Sequence, residues 1–186
     1  DGGEVNVSFY EELGDFDLKE EIFSSGTRET FIHVDNRYIY VGRNDSVINI
    51  RYKNNLSIKT NLTEAGNTIR SVYADDKYVY AGGDDEKVQI YNKDSLTLKK
   101  ELTGAKKDIG SVYADDKYIY TSDEDGIVRI YYIDNFLLKK SINQSESSSP
   151  LMYGTLYSDE DYLYSAGPLY INIYHKDNFS LRKSFS

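Results

Sequence analysis

The sequence predicts an all-β protein: a β-propeller of four-stranded antiparallel blades, with four full repeats plus one partial blade in a single domain over 1–186. Three observations predict it. The octapeptide SVYADDKY stands at 71–78 and again at 111–118, and Tyr40, Tyr80, Tyr120 and Tyr164 keep the same register at spacings of 40, 40 and 44 residues. Short runs rich in β-branched and aromatic residues are punctuated every ~8–12 residues by Asp, Asn or Gly clusters, the mark of strands and tight turns. No stretch sustains a 3.6-residue apolar period over three turns, so helices are not expected.

Taken in chain order, the first element is the partial blade, 1–25. Its Val5, Val7, Phe16, Leu18 and Ile22 match only the second half of the unit. Four complete copies follow at about 28–62, 68–102, 108–142 and 151–185, with Ile50, Ile90, Ile130 and Ile173 equivalent, then Ile58, Leu98, Leu138 and Leu181. The best-formed copy divides into strands IGSVYA (109–114), KYIYTS (117–122), IVRIYY (127–132) and FLLKKSI (136–142). Its second strand is apolar at consecutive positions, Tyr118-Ile119-Tyr120, which fits a strand covered on both faces. The fourth strand carries basic pairs, Lys99-Lys100, Lys139-Lys140 and Arg182-Lys183, which suit an outer edge where charge discourages pairing with another molecule.

At this point the residues resemble a family. Asp125-Gly126-Ile127-Val128-Arg129-Ile130-Tyr131 is similar to the Asp-Gly-Thr-Val-Arg-Leu-Trp run of WD-repeat propellers. The second copy matches through Gly82, Gly83, Asp85, Val88, Ile90 and Tyr91, and the first keeps Gly42 and Asp45. The departures are as clear. Tyr91-Asn92, Tyr131-Tyr132 and Tyr174-His175 replace Trp-Asp, Gly104-Ala105 is the nearest approach to Gly-His, and Arg51 replaces the aromatic. The resemblance therefore implies a divergent WD-repeat-like propeller without the family's usual His-to-Asp network inside each blade.

Four and a half units lie at the low end of the ~4–8 blades that close a ring. Three closures stay open: a fragment of a larger ring, which the mid-blade start favours, a five-bladed ring with an incomplete blade, or a ring completed by self-association with another chain. Any unfinished ring leaves Tyr-rich blade faces uncovered.

Composition narrows the function classes. The 186 residues carry net charge −9, which argues against a nucleic-acid partner. No apolar run approaches ~18 residues, so membrane insertion is not expected either. Zero Cys removes disulfides, thiolate zinc sites and cysteine nucleophiles. His33 and His175 are far apart in sequence; His33 reads as a structural strand residue and His175 as a turn residue, which leaves little for a triad. The acidic loops Asp75-Asp76, Asp84-Asp85-Glu86, Asp115-Asp116, Asp123-Glu124-Asp125 and Asp159-Glu160-Asp161 could hold Ca²⁺ but lack the twelve-residue calcium pattern. Their recurrence with the period favours turns, where Asp accepts backbone hydrogen bonds. No catalytic residue, metal site or cofactor is expected.

Most of the 19 Tyr recur in register and read as packing between blades, whereas Tyr153 and Tyr170 stand outside it as candidate contact residues. The WD-repeat resemblance implies that the loops between blades and those between second and third strands share one face. On that face it places Arg28, Arg43, Arg70, Lys106 and Lys107 among the acids Glu64, Asp84 and Glu124, beside the insertion 143–154. A mixed-charge rim suits recognition of a protein partner better than a small-molecule pocket. Asn-x-Ser/Thr occurs at Asn6, Asn44, Asn55, Asn61, Asn143 and Asn178. Thirteen Asn with about 15% Ser plus Thr would give about two by chance, so glycan acceptors on an extracellular or cell-surface protein are favoured over a cytoplasmic setting, although Asn-rich turns produce the motif for free. The expected function is a non-catalytic protein-interaction scaffold. The rivals are an extracellular assembly protein and a secreted carbohydrate-active hydrolase or lyase using acids of the loop face.

Overall fold

In the computed structural model, residues 27–144, 154–167 and 170–185 are described, and they form sixteen strands and no helix. The first sheet holds β1 (Glu29–Val34), β2 (Tyr38–Arg43), β3 (Ile48–Tyr52) and β4 (Ile58–Leu62). The second holds β5 (Ile69–Ala74), β6 (Tyr78–Gly83), β7 (Val88–Asn92) and β8 (Leu98–Leu102). The third holds β9 (Ile109–Ala114), β10 (Tyr118–Asp123), β11 (Ile127–Tyr132) and β12 (Leu138–Asn143), and the fourth β13 (Thr155–Ser158), β14 (Tyr162–Ala166), β15 (Ile171–His175) and β16 (Leu181–Phe185). Each is an antiparallel meander whose spatial order follows the chain. The proposed partial blade 1–25 lies outside the described residues.

The sheets meet through their first strands, β1 against β5, β5 against β9 and β9 against β13, so these form an inner layer and the fourth strands an outer one. Second strands are the most deeply buried: all six residues of β10 are buried, the apolar Tyr118-Ile119-Tyr120 and the polar Thr121, Ser122 and Asp123 alike. Between the sheets lie three clusters, with Tyr40, Ile50 and Ile69 in the first, Tyr80, Ile90 and Ile109 in the second, and Tyr120, Ile130 and Leu163 in the third. Close approach needs small residues. A Cβ on Gly82 would sit 2.4 Å from Ile109 Cγ2, and one on Gly42 2.6 Å from Ile69 Cγ2, so glycine at both places lets the next sheet's first strand nestle in.

One tether recurs in all four sheets. Asp35, Asp75, Asp115 and Asp159 each open the turn between first and second strands. In each, Oδ1 accepts two backbone N–H groups, two and three residues on. Oδ2 accepts the hydroxyl of Tyr40, Tyr80, Tyr120 or Tyr164 at 2.6–2.8 Å. The register of the acids and of the tyrosines is thus one device, which satisfies an otherwise buried phenol. Burial and the neighbouring carboxylate push the first three of these phenols well above the usual range.

The turns between third and fourth strands hold a difference from the sequence reading. Leu56, Leu96, Phe136 and Phe179 adopt left-handed φ values of 54–61°, so the fourth strand starts two residues later than the apolar run FLLKKSI suggests. Such a conformation is costly for a bulky residue, and packing on the preceding sheet offsets it. Phe136 lies 5.7 Å from Tyr78 and Phe179 5.3 Å from Tyr118, both edge-on.

Candidate functional site

Three inner strands and the start of a fourth enclose a groove of about 400 Å³, lined by Ile32, His33, Arg70, Val72, Tyr73, Ser111, Val112, Tyr113 and Leu156 among others. One end is aromatic. His33, Tyr73, Tyr113 and Tyr157 occupy the same position in β1, β5, β9 and β13, and their rings follow one another at 4.8, 4.7 and 5.4 Å. His33 is therefore a member of the repeated ladder. Its Nε2 lies 3.2 Å from the Ala74 carbonyl, which can only accept, so that nitrogen carries the proton. Burial lowers its pKa and keeps the ring neutral.

The other end is charged, and here the copies differ. Arg70, at a bulge that starts β5, grips Asp84 with both Nε and Nη2, the latter at 2.9 Å, and its Nη2 is 3.9 Å from Asp108 Oδ2. Burial, together with Asp84 and Glu124, raises the pKa of Asp108 against the opposing pull of Arg70. The positions equivalent to Asp84 hold Asn44 and Glu124, and those equivalent to Asp108 hold Arg28 and Thr68. The backbone bonds Asn44 N–H to Arg28 O, Asp84 N–H to Thr68 O and Glu124 N–H to Asp108 O fix that equivalence. Asp108 was missed in the sequence, although its divergence from Arg28 and Thr68 was a readable signal.

Arg28 gives its backbone N–H to Asn44 Oδ1, and Arg43 pairs with Asp45 at 2.6 Å and donates to Thr27 at 3.0 Å, so both are held by partners of the first sheet and its approach. Lys106 and Lys107 are exposed just before Asp108. Tyr170 is half-buried: its ring lies against Gly167 and its hydroxyl is buried, so it is not the open contact residue expected. Tyr153 and Asn6 lie outside the described residues. Asn44, Asn55, Asn61, Asn143 and Asn178 are all exposed. Asn55 and Asn178 accept the N–H two residues on, at 3.1 and 2.8 Å, so turn chemistry alone accounts for Asn at those two positions. His175 closes its turn through its backbone while its ring packs 5.5 Å from Tyr162.

Inside the sheets, polar bridges differ from copy to copy. A buried Arg129–Asp123 ion pair serves the third sheet, Gln89–Asp85 the second and Asn49–Asn61 the first. Among the described residues no group of three or more His, Asp or Glu side chains is placed to hold a metal ion.

A model of the DUF5074 family, a domain of unknown function, matches residues 12–183. The chain belongs to the DUF5074 family. No curated protein matches this DUF5074 chain. Among solved structures, the crystal structure of the computationally designed Ika8 protein is similar to it, with a TM-score of 0.72 at 16% identity, over 85% of this chain and 49% of that one. The DUF5074 chain thus spans about half the length of the designed protein, and at this identity the likeness speaks for the fold alone: an all-β, propeller-like succession of four-stranded sheets.

Proposed function

We propose that this DUF5074 chain is a non-catalytic interaction scaffold: a WD-repeat-like β-propeller whose sheets are blades and whose charged loop face binds a protein partner. One observation carries the reading. The aspartate–tyrosine tether common to all four sheets holds the frame, whereas Arg70, Asp84, Asp108 and Glu124, whose counterparts differ between copies, gather at one mouth of the inner groove. A repeated frame with a variable polar rim is the division of labour that recognition requires. The bidentate grip of Arg70 occupies Asp84, which leaves that carboxylate poorly placed as a base. Exposed sequon asparagines favour an extracellular or cell-surface setting.

The test is capture from an extract of the native source by the purified chain, compared with Arg70→Glu and with Lys106→Glu/Lys107→Glu, each shown folded by circular dichroism. Loss of the same captured protein with these rim variants is expected. Identical capture by all three proteins overturns the reading.

A second reading has a specific observation behind it. Burial, with Asp84 and Glu124 nearby, raises the pKa of Asp108, the direction that the general acid of a carbohydrate-active hydrolase needs. Release of sugar from a glycan panel by the wild-type chain, abolished in Asp108→Asn, would establish it; silence across the panel removes it.

A further inference from the structure

Every joint between successive sheets is made of two halves that the repeat supplies separately. The earlier sheet offers a socket: the turn aspartate and the tyrosine that opens the second strand, as Asp35 with Tyr38, Asp75 with Tyr78, or Asp115 with Tyr118. The later sheet offers a plug from the turn between its third and fourth strands. Lys93 reaches Asp35 Oδ2 at 2.8 Å, and Leu96 packs into the cluster that includes Tyr38. Lys176 reaches Asp115 Oδ2 at 2.7 Å, and Phe179 packs on Tyr118. In the middle joint Ile133 and Phe136 fill the same two places.

Two halves are left over among the described residues. The fourth sheet ends in a socket, Asp159 with Tyr162, which no lysine of a later sheet reaches. Its aromatic ladder ends in Tyr157, which is 56% exposed where Tyr73 and Tyr113 are only partly so. Tyr164 is likewise half-open, whereas Tyr40, Tyr80 and Tyr120 are fully buried. The first sheet carries the matching plug: Lys53 and Leu56 stand where Lys93 and Leu96, or Lys176 and Phe179, stand in later sheets. Lys53 is exposed, whereas Lys93 and Lys176 are largely covered. Charge and shape of the two halves agree: a cation and an aliphatic side chain on one, a carboxylate and an aromatic ring on the other.

We propose that a second copy of this chain docks its first sheet onto the fourth sheet of the first copy. Lys53 then pairs with Asp159, Leu56 rests on Tyr162, and His33 continues the ring ladder from Tyr157. The contact is head-to-tail, so it generates a closed ring if the curvature closes and a longer arc if it does not. The inference is independent of what the loop face binds.

The test uses the full 186-residue chain and measures mass against concentration by light scattering and sedimentation. The wild type is expected to self-associate at micromolar concentration, with at least twice the chain mass. Lys53→Asp and Asp159→Lys each place like charges across the joint and should weaken association at least ~10-fold. Both single variants leave the joints between sheets untouched. Asp159→Lys also removes the turn tether to Tyr164 and to the Asp161 and Tyr162 amides, so thermal unfolding verifies that each variant is folded, and the charge-swapped pairings separate the joint from the turn. Mixing the two in equal amounts restores association, because each joint of a closed mixed pair again sets a cation against an anion; so does the charge-swapped double variant alone. A wild type that stays monomeric to high concentration overturns the proposal, as do single variants that associate like the wild type, or a mixture that recovers nothing.

Discussion

Replacing Asp35 by asparagine isolates the contribution of a clasp between sheets. The side chains of Asp35 and Lys93 are only 14% and 13% exposed, and they meet at 2.8 Å. Removing one partner of a fully buried ion pair costs about 3–5 kcal/mol, and exposed pairs are worth about 0–1 kcal/mol. The Asp35→Asn side chain keeps an oxygen for the Arg37 and Tyr38 N–H groups but leaves the Lys93 ammonium without its anion in a mostly covered place. An intermediate cost of about 2–3 kcal/mol follows. At ~2–4 °C per kcal/mol for a chain of this size, the midpoint should fall by about 4–12 °C. The molecule supplies its own control. In the middle joint Ile133 stands where Lys93 stands, so Asp75→Asn loses only charge-assisted hydrogen bonds and should cost about 1 kcal/mol. Urea unfolding of Asp35→Asn, Lys93→Met and the double variant should give a coupling energy of about 1–2 kcal/mol. Equal costs for Asp35→Asn and Asp75→Asn, or a coupling near zero, would refute the clasp.

Other consequences can be measured alongside. Gly82→Ala drives a methyl to 2.4 Å from Ile109 Cγ2 and should destabilise by about 1–3 kcal/mol in the same urea assay, whereas Gly66→Ala, with only the Asp85 side chain at 3.3 Å, should cost less. Phe179→Ala empties the buried plug against Tyr118 and should cost about 3–5 kcal/mol. Burial alone would raise Asp35, but the Lys93 ion pair, the Arg37 and Tyr38 amides and the Tyr40 hydroxyl outweigh it and hold its pKa at about 2. The unfolded carboxyl titrates near ~4, so this stabilisation is complete above about pH 4 and is lost as the pH falls toward 2. Acid titration followed by near-ultraviolet circular dichroism should therefore show a shallower acid limb in Asp35→Asn than in the wild type.

The strands were legible because the repeat states each of them four times. IGSVYA reads as 109–114 and β9 runs from Ile109 to Ala114. The fourth strand misled at its start because Phe136 is apolar for a reason unrelated to strand formation: it turns left-handed and reaches the preceding sheet. The basic pairs read as solvent-facing charges, yet Lys139 Nζ lies 4.9 Å from the Tyr132 ring centroid and donates to its hydroxyl, so it also covers an aromatic surface. Arg70 and Asp84 were both legible as rim residues, but their pairing depends on the bulge between Ile69 and Ser71, which no composition or period announces. The lysine clasps were illegible for a different reason. Lys93 and Asp35 are 58 residues apart, and their meeting is set by how one sheet stacks on the next.

The alternation Lys93, Ile133, Lys176 gives the succession of sheets a built-in seam pattern. Its first and third joints depend on a carboxylate that acid can neutralise, whereas the middle joint has no ammonium there to lose its partner. As the pH drops, the terminal sheets should peel away while the second and third remain a cooperative unit. Unfolding in acid would then depart from two-state behaviour, and amide exchange would retreat last from the two SVYADDKY segments at the centre of the chain.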